Sequence, residues 1–323
     1  FKMDDFSRLT DHEVRVRRLF YPHMTQRLES VGPDGRFVHY STAEAGVGIL
    51  TNKEVWLRNT SCMNDFSEVQ HGLNLLADTY KSPVGQRFQA ILNDNLDGVC
   101  EEFAQLFDRH QDALRHDSFV ICVSEHRRHE DITGRLSMWR AYGSTSGVAL
   151  VMSAAPFRSE TNLLRAYSTP VRYASKDDLQ QDFSELVSGL EKNIDLLKQL
   201  GREEVRRHLF NMFKWAALSI KHPGFVEEQE WRVVYTPSLE RSDVIAPDVK
   251  LIRGVPQTVY KLPLRKFDGT TFSTAVPDVI DKIIIGPTAY PLAMRDAFIE
   301  LLHRAGVPDP GTRVQVSDIP LRA

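Results

Sequence analysis

The sequence predicts an α+β fold, a single sheet-forming domain with helical segments inserted between strands. Strand-like runs such as "FVICVSE" (119–125), "GVALVMS" (147–153) and "WRVVYT" (231–236) do not alternate strictly with helices, which argues against a doubly wound parallel sheet. Residues 176–220 carry a helical pattern instead: Leu179, Phe183, Leu186, Leu190, Ile194 and Leu197 recur at steps of three and four. Glycine and proline are spread as punctuation, so no linker divides the 323 residues. The expected organisation is an N-terminal helical extension over 1–35 and one domain over 36–323, with helical insertions near 67–116 and 176–220.

In chain order, residues 10–30 are polar and helical in character, and "GPDG" (32–35) is a turn. "RFVHYST" (36–42) alternates as a strand does, "TAEAGVGILTN" predicts a short helix ending near Asn52, and "EVWLRNT" (54–60) predicts a second strand. Val69, Leu73, Leu76 and Tyr80 share a helical face. "LSMWRAY" predicts a helical turn between two apolar strands. After the helical insertion, "WRVVYT", "QTVYKLPL", "VIDKIIIG" and "RVQVS" are strand candidates, and an amphipathic helix over 291–305 is stopped by Gly306 and Pro308.

Forty basic and 43 acidic side chains leave a formal charge of −3, so any nucleic-acid contact must be a local patch. Cys62, Cys100 and Cys122 show no CxxC spacing, and an odd count favours free thiols in a reducing compartment. With no apolar run near the ~20 residues of a membrane helix, and no apolar stretch in "FKMDDFSRLT", the expected location is cytoplasmic, with no membrane partner. Neither a glycine-rich phosphate loop nor a GxSxG elbow is present, which disfavours P-loop NTPases and α/β-hydrolases.

Several motifs admit both a structural and a functional reading. In "MNDFSEVQHGL" (63–73), Asp65 and Glu68 form a capping box before a helix, while Asn64 and Asp65 also stand where a ligand's polar groups can be met. His39 and Tyr40 end a strand and Thr42 caps a helix; the same residues offer an imidazole and hydroxyls to a ribose. Trp139 and Tyr142 share a helical face that can pack or stack on a flat ring, and Arg140 between them can face a phosphate. "EHRRHED" (125–131) matches no zinc spacing and reads as a solvated loop, so no metal site is assigned.

"EEQEWRVVY" (227–235) is the most pointed segment. In a strand, residues two apart share a face, so Glu228, Glu230 and Arg232 would form one row. The row is either solvent-facing opposite buried Trp231, Val233 and Tyr235, or a site whose carboxylates bind a ribose and stabilise positive charge at an anomeric carbon.

Taken in order, "HYST" (39–42), "WLRNTSCMNDFSE" (56–68), "FVICVSE", "SMWRAYG" (137–143), "EEQEWRVVY" and "IIIGP" (283–287) resemble the bacterial family catalogued as domain of unknown function 2971, over residues 36 to 290. The first strand and late glutamates also look like the His/Tyr/Glu layout of ADP-ribosyltransferases, including DNA-modifying toxins. That resemblance implies a split or mixed β-sheet core. It also implies NAD as substrate, with His39, Glu228 and Glu230 catalytic and His39, Tyr40, Thr42, Asn64, Asp65, Trp139, Arg140 and Tyr142 contacting it. The ADP-ribosyltransferase second-strand Ser-Thr-Ser is absent, and "NTS" (59–61) replaces it only in part.

The resulting expectation is an ADP-ribosyltransferase, a toxin or antiphage-defence effector that modifies a protein or nucleic acid and is paired with an antitoxin or defence-system partner. Two other classes stand beside it. One is an inactive sensor that binds nucleotide or ADP-ribose; the other is a nuclease whose metal is held by Asp65, Glu68, Glu228 and Glu230.

Overall fold

In the computed structural model, residues 10–62, 66–159 and 162–320 are described. Asn64 and Asp65 lie outside them. Two helices open the chain, α1 (Asp11–Phe20) and α2 (Pro22–Val31), the first held by a Thr10–Glu13 capping box. Then come β1 (Arg36–Thr42), α3 (Ala43–Asn52) and β2 (Glu54–Asn59). The first insertion contains α4 (Phe66–Lys81), α5 (Pro83–Asn95) and α6 (Val99–His116). It leads into β3 (Phe119–His126), a short α7 (Leu136–Met138) that widens into a π-turn over Trp139–Gly143, and β4 (Gly147–Ser153).

Beyond α8 (Ala155–Arg158), β5 (Ala166–Pro170) and β6 (Arg172–Tyr173) lies the second insertion, α9 (Lys176–Lys192) and α10 (Ile194–Ser219). Gly201, at φ 76°, kinks α10 where the sequence suggests a break. The chain then enters β7 (Ile220–Lys221), a 3₁₀ turn over Pro223–Glu228 and β8 (Glu230–Tyr235). It finishes with β9 (Ala246–Ile252), β10 (Val255–Pro263), α11 (Val276–Val279), β11 (Ile280–Ile285), α12 (Pro291–Arg304), α13 (Pro310–Arg313) and β12 (Val314–Val316).

The strands form a mixed open sheet whose main path runs β12-β11-β4-β1-β3-β2-β10-β9; the β11–β12 pair is parallel. β8 lies on the other edge of β3, and β5 lies on β8. The sheet splits at β3. One edge of β3 pairs with β8 from Phe119 to Ser124, whereas the opposite edge is shared by β2, at Phe119 and Val120, and β1, from Ser124 to His126. Residues 121–123 therefore lie in a gap between diverging β1 and β2.

The two insertions and α1 join in one core that reaches Val120 and Val234 on one face of the sheet, whereas Leu28 of α2 packs with Phe37, Val123 and Trp231. On the other face, α3 and α12 bury Leu50, Phe298 and Leu302 against Val148, Leu150, Ile283 and Ile285. On that same face Trp231 of β8 packs with Leu28 and Phe37, and Tyr235 with Leu57 and Ile245, so β8 is covered on both sides and the solvent-facing row is corrected: Glu230 and Arg232 are buried along with Trp231, Val234 and Tyr235. The 125–131 stretch is not a freely solvated loop either. His126 is buried with Nε2 2.9 Å from Asp131, and Asp131 also meets Arg36 and Lys282.

Candidate active site

The end of α10 delivers Lys221 into the interior, where it is 2% exposed. Its Nζ lies 2.8 Å from Glu228, 3.0 Å from Glu230 and 3.1 Å from Glu68 of the first turn of α4. Arg232 completes the cluster: Nε donates to Glu230 at 2.7 Å, Nη2 donates to Glu68, and Nη1 donates to the Leu218 carbonyl at 2.9 Å. Glu228 and Glu230 are not neighbours by strand alternation, because Glu228 ends the 3₁₀ turn and Gln229 adopts a left-handed conformation at φ 45° before β8 begins. Lys221 brings them together.

The pKa values of the two carboxyl groups are pushed in opposite directions. Burial alone would raise the Glu230 pKa, but the charges of Arg232 and Lys221, with a Cys122 hydrogen bond, outweigh it and leave the group ionised. Burial raises Glu228; Lys221 opposes this, while the charge of Glu230 and a hydrogen bond with it push the same way as burial. Among the described residues three carboxyl groups meet Lys221 and Arg232, and the charge of Glu230 beside Glu228 acts in the sense that raises the Glu228 pKa. Environments that separate the affinities of paired carboxyls are the usual means of dividing acid–base roles.

Two tyrosines border the pair. Tyr142, on the π-turn, donates to Glu228 at 3.4 Å and is 41% exposed; burial of its ring and the Glu228 charge both raise its pKa. Tyr173 Oη accepts the Glu230 N–H at 2.8 Å. Phe225, 47% exposed, covers Lys221 with its ring centroid 4.8 Å from Nζ. An open cavity of about 470 Å³ is lined by Arg135, Leu136, Ser137 and Arg140 and by Glu227 and Gln229, the chain neighbours of Glu228. Arg140 is exposed and has no ion pair or hydrogen bond among the described residues.

The remaining expected contacts disperse. His39 donates from Nδ1 to the Cys122 carbonyl at 2.9 Å, filling the split between β1 and β2. Register pairs Val38 with Ser124 and Ser124 with Glu230, so those three share a face and His39, one residue on, points to the other. Burial lowers the His39 pKa, partly opposed by the Cys122 bond, and keeps the ring neutral. Tyr40 is buried and accepts the Arg135 N–H at 2.8 Å, and Thr42 caps α3 by accepting the Ala45 N–H. Trp139 is a packing residue, 2% exposed, its Nε1 donating to the Thr133 carbonyl at 2.8 Å. Close approach at Gly286 accommodates its ring, since a Cβ there would lie 2.8 Å from it. Asn59 of "NTS" accepts the Ser61 N–H at 2.9 Å and donates to the His116 carbonyl.

Sequence reading missed Lys221, Tyr173 and Cys122 altogether, and assigned Glu68 only to a cap or a metal. A lysine at the end of a long apolar helix, 2 residues before a proline and 7 before a glutamate, was the available signal for the first. Lys221 Nζ occupies the centre that Glu68, Glu228 and Glu230 surround, and the described residues hold no group of three or more acidic, His or Cys side chains suited to a metal. No helix among them is long and apolar enough to cross a membrane.

Residues 138–233 match the family model described as "Protein of unknown function (DUF2971)". The match spans Tyr142, Cys122's partner strand β8, Lys221, Glu228, Glu230 and Arg232, and leaves out β1 and Glu68. No curated protein and no solved structure matches the chain.

Proposed function

We propose that this protein is an ADP-ribosyltransferase that cleaves NAD and transfers ADP-ribose to a macromolecule, acting as a toxin or defence effector. The observation that carries the reading is the Glu228–Glu230 pair, joined by Lys221, with one carboxyl buried and its pKa lowered and the other partly exposed and its pKa raised. In the reaction, the bond between ribose C1′ and the nicotinamide nitrogen breaks, and its electron pair leaves with nicotinamide. The fixed charge of Glu230 favours the positive character left at C1′, and Glu228, once ionised, takes the proton of the attacking acceptor group. Its raised affinity brings it nearer to neutral pH than an ordinary carboxyl.

Support also comes from the split sheet, from exposed Tyr142 and Phe225 as ring-stacking surfaces, and from the uncommitted Arg140 for a pyrophosphate. The ribose-holding role implied for His39 is not part of this reading, because the sheet stands between its ring and the carboxyl pair.

Nicotinamide release from NAD, followed with the wild type and with Glu228→Gln, tests the proposal. Release by the wild type and a loss of about 10²-fold or more in the variant are expected; full activity in the variant would end the reading. A nucleotide sensor is the second reading, favoured by the complete ion pairing of Glu230. It predicts that NAD raises the melting temperature without being consumed.

A further inference from the structure

Glu228 is held at its side chain by Lys221, but the turn that carries it has few anchors of its own. The turn over Pro223–Glu228 bears Phe225 and Val226 at 47% and 55% exposure, and it ends at left-handed Gln229. The last carbonyls of such a turn have no partner within it. Here one side chain takes them. Arg135 Nη1 donates to the carbonyl oxygens of Glu227 at 2.8 Å and Glu228 at 3.1 Å, and Nη2 donates to the Glu125 carbonyl at 2.9 Å.

The guanidinium is itself oriented from both ends. Its Nε donates to Glu130 Oε1 at 3.0 Å, with Nη2 2.9 Å from the same carboxylate, and the Arg135 N–H donates to Tyr40 Oη at 2.8 Å. Tyr40 is wedged edge-on against Trp139, 4.9 Å between ring centroids, on the face of β1 that continues toward Glu230. A rigid chain thus runs from Tyr40 through Arg135 to the backbone of Glu228.

We propose that Arg135 is the positioning residue of this centre, with Tyr40 setting its geometry: by gripping the two carbonyls that end the 223–228 turn, it keeps the Glu228 carboxyl at Lys221 and Glu230. This rests on the carboxyl pair being the reactive centre of the proposed function. The planar fork spreads three nitrogens over the Glu130 carboxylate and three carbonyls, whereas a lysine offers one nitrogen on a shorter reach. Release of the turn would carry Glu228 away from Glu230, Lys221, Tyr142 and Tyr173, the charged and titratable groups that face it, and into water.

The test uses the full chain labelled with ¹³C at glutamate carboxyls, with the Glu228 resonance assigned by its loss in Glu228→Gln. In Arg135→Ala the Glu228 titration midpoint is expected to move down toward the ordinary value of 4.5. Nicotinamide release is expected to fall by about 10²-fold in kcat with KM little changed, the signature of misplacement after binding. Arg135→Lys restores part of both. Tyr40→Phe, which removes only the acceptor of the Arg135 N–H, shifts both in the same direction by less.

A folded Arg135→Ala with wild-type Glu228 titration would overturn the proposal. If that variant does not fold, wild-type titration and turnover in both Arg135→Lys and Tyr40→Phe overturn it equally. If wild-type protein releases no nicotinamide while the titration still shifts in Arg135→Ala, positioning stands and the transferase reading falls.

Discussion

Lys221 and Glu228 meet at 2.8 Å, an ammonium 3% exposed at its side chain against a carboxyl group 16% exposed at its own. The cation is sealed from water while the carboxyl is partly exposed, so the pair links a buried charge network to the surface. A network of this kind gains little net stability by existing and loses much when one member is removed.

Lys221→Met leaves Glu68, Glu228 and Glu230 without the cation at their centre. A loss of about 3–5 kcal/mol in unfolding free energy is expected. Adding Glu228→Gln removes one of the stranded carboxyl groups and should recover part of it, because contacting residues are not additive. Equilibrium denaturation of the two single variants and the double decides this; strict additivity would contradict the coupling.

The two glutamates give opposite pH dependences. Glu230 has a folded pKa below its unfolded value of about 4.5, so its contribution is present above that value and lost as pH falls through the lowered one. Glu228 has a folded pKa above the same reference, so its contribution is full below about 4.5 and lost as pH rises through the raised value. Relative to wild type, Glu228→Gln should gain stability as pH rises from 4.5 toward neutrality, and the penalty of Glu230→Gln should shrink as pH falls below 4.5. Melting temperatures across that range measure both slopes, and parallel profiles for the three proteins would refute the assignment.

For His39, a structural role predicts a stability effect without a chemical one. His39→Ala leaves the Cys122 carbonyl in the split without its donor, at an expected cost of about 1–3 kcal/mol. NAD turnover per folded molecule, measured well below the variant's melting temperature, should stay within about threefold of wild type. A much larger drop in a folded variant would return His39 to the site.

Gly286→Ala probes the packing of Trp139. A Cβ at 286 would stand 2.8 Å from the indole and 3.1 Å from the Gly147 carbonyl, in a region where neither ring nor strand can yield. Overpacking by one methyl is expected to cost about 1–3 kcal/mol, read by denaturation. An unchanged midpoint would show that the indole has room to move.

Local pattern carried far in this chain. The bounds of β1 match the alternation of "RFVHYST" and those of β4 the continuous apolar run "GVALVMS", and α12 follows the amphipathic stretch that Gly306 and Pro308 close. α4 and α9 follow the spacing of Val69, Leu73, Leu76 and Tyr80 and of Leu179, Phe183, Leu186 and Leu190, which reflects burial of one face. β5, β7 and β9 were not. "AYSTP" and "IK" are too short or too polar to alternate, and β9 exposes Val249 and Leu251 at the sheet edge, where no burial enforces a pattern.

At the site, the sequence by itself determined that two glutamates and an arginine lie within five residues at the start of a strand. It left open whether water or protein would face them. Tertiary structure decided that, because the insertions cover the face of β8 that a two-layer reading would expose, and a buried row of acids persists only with cations beside it. Lys221, 7 and 9 residues away from the two carboxyls it joins, reaches them through a turn and a left-handed Gln229 that no periodicity encodes. The face of His39 was likewise settled by strand register, a property of paired strands and not of one strand alone.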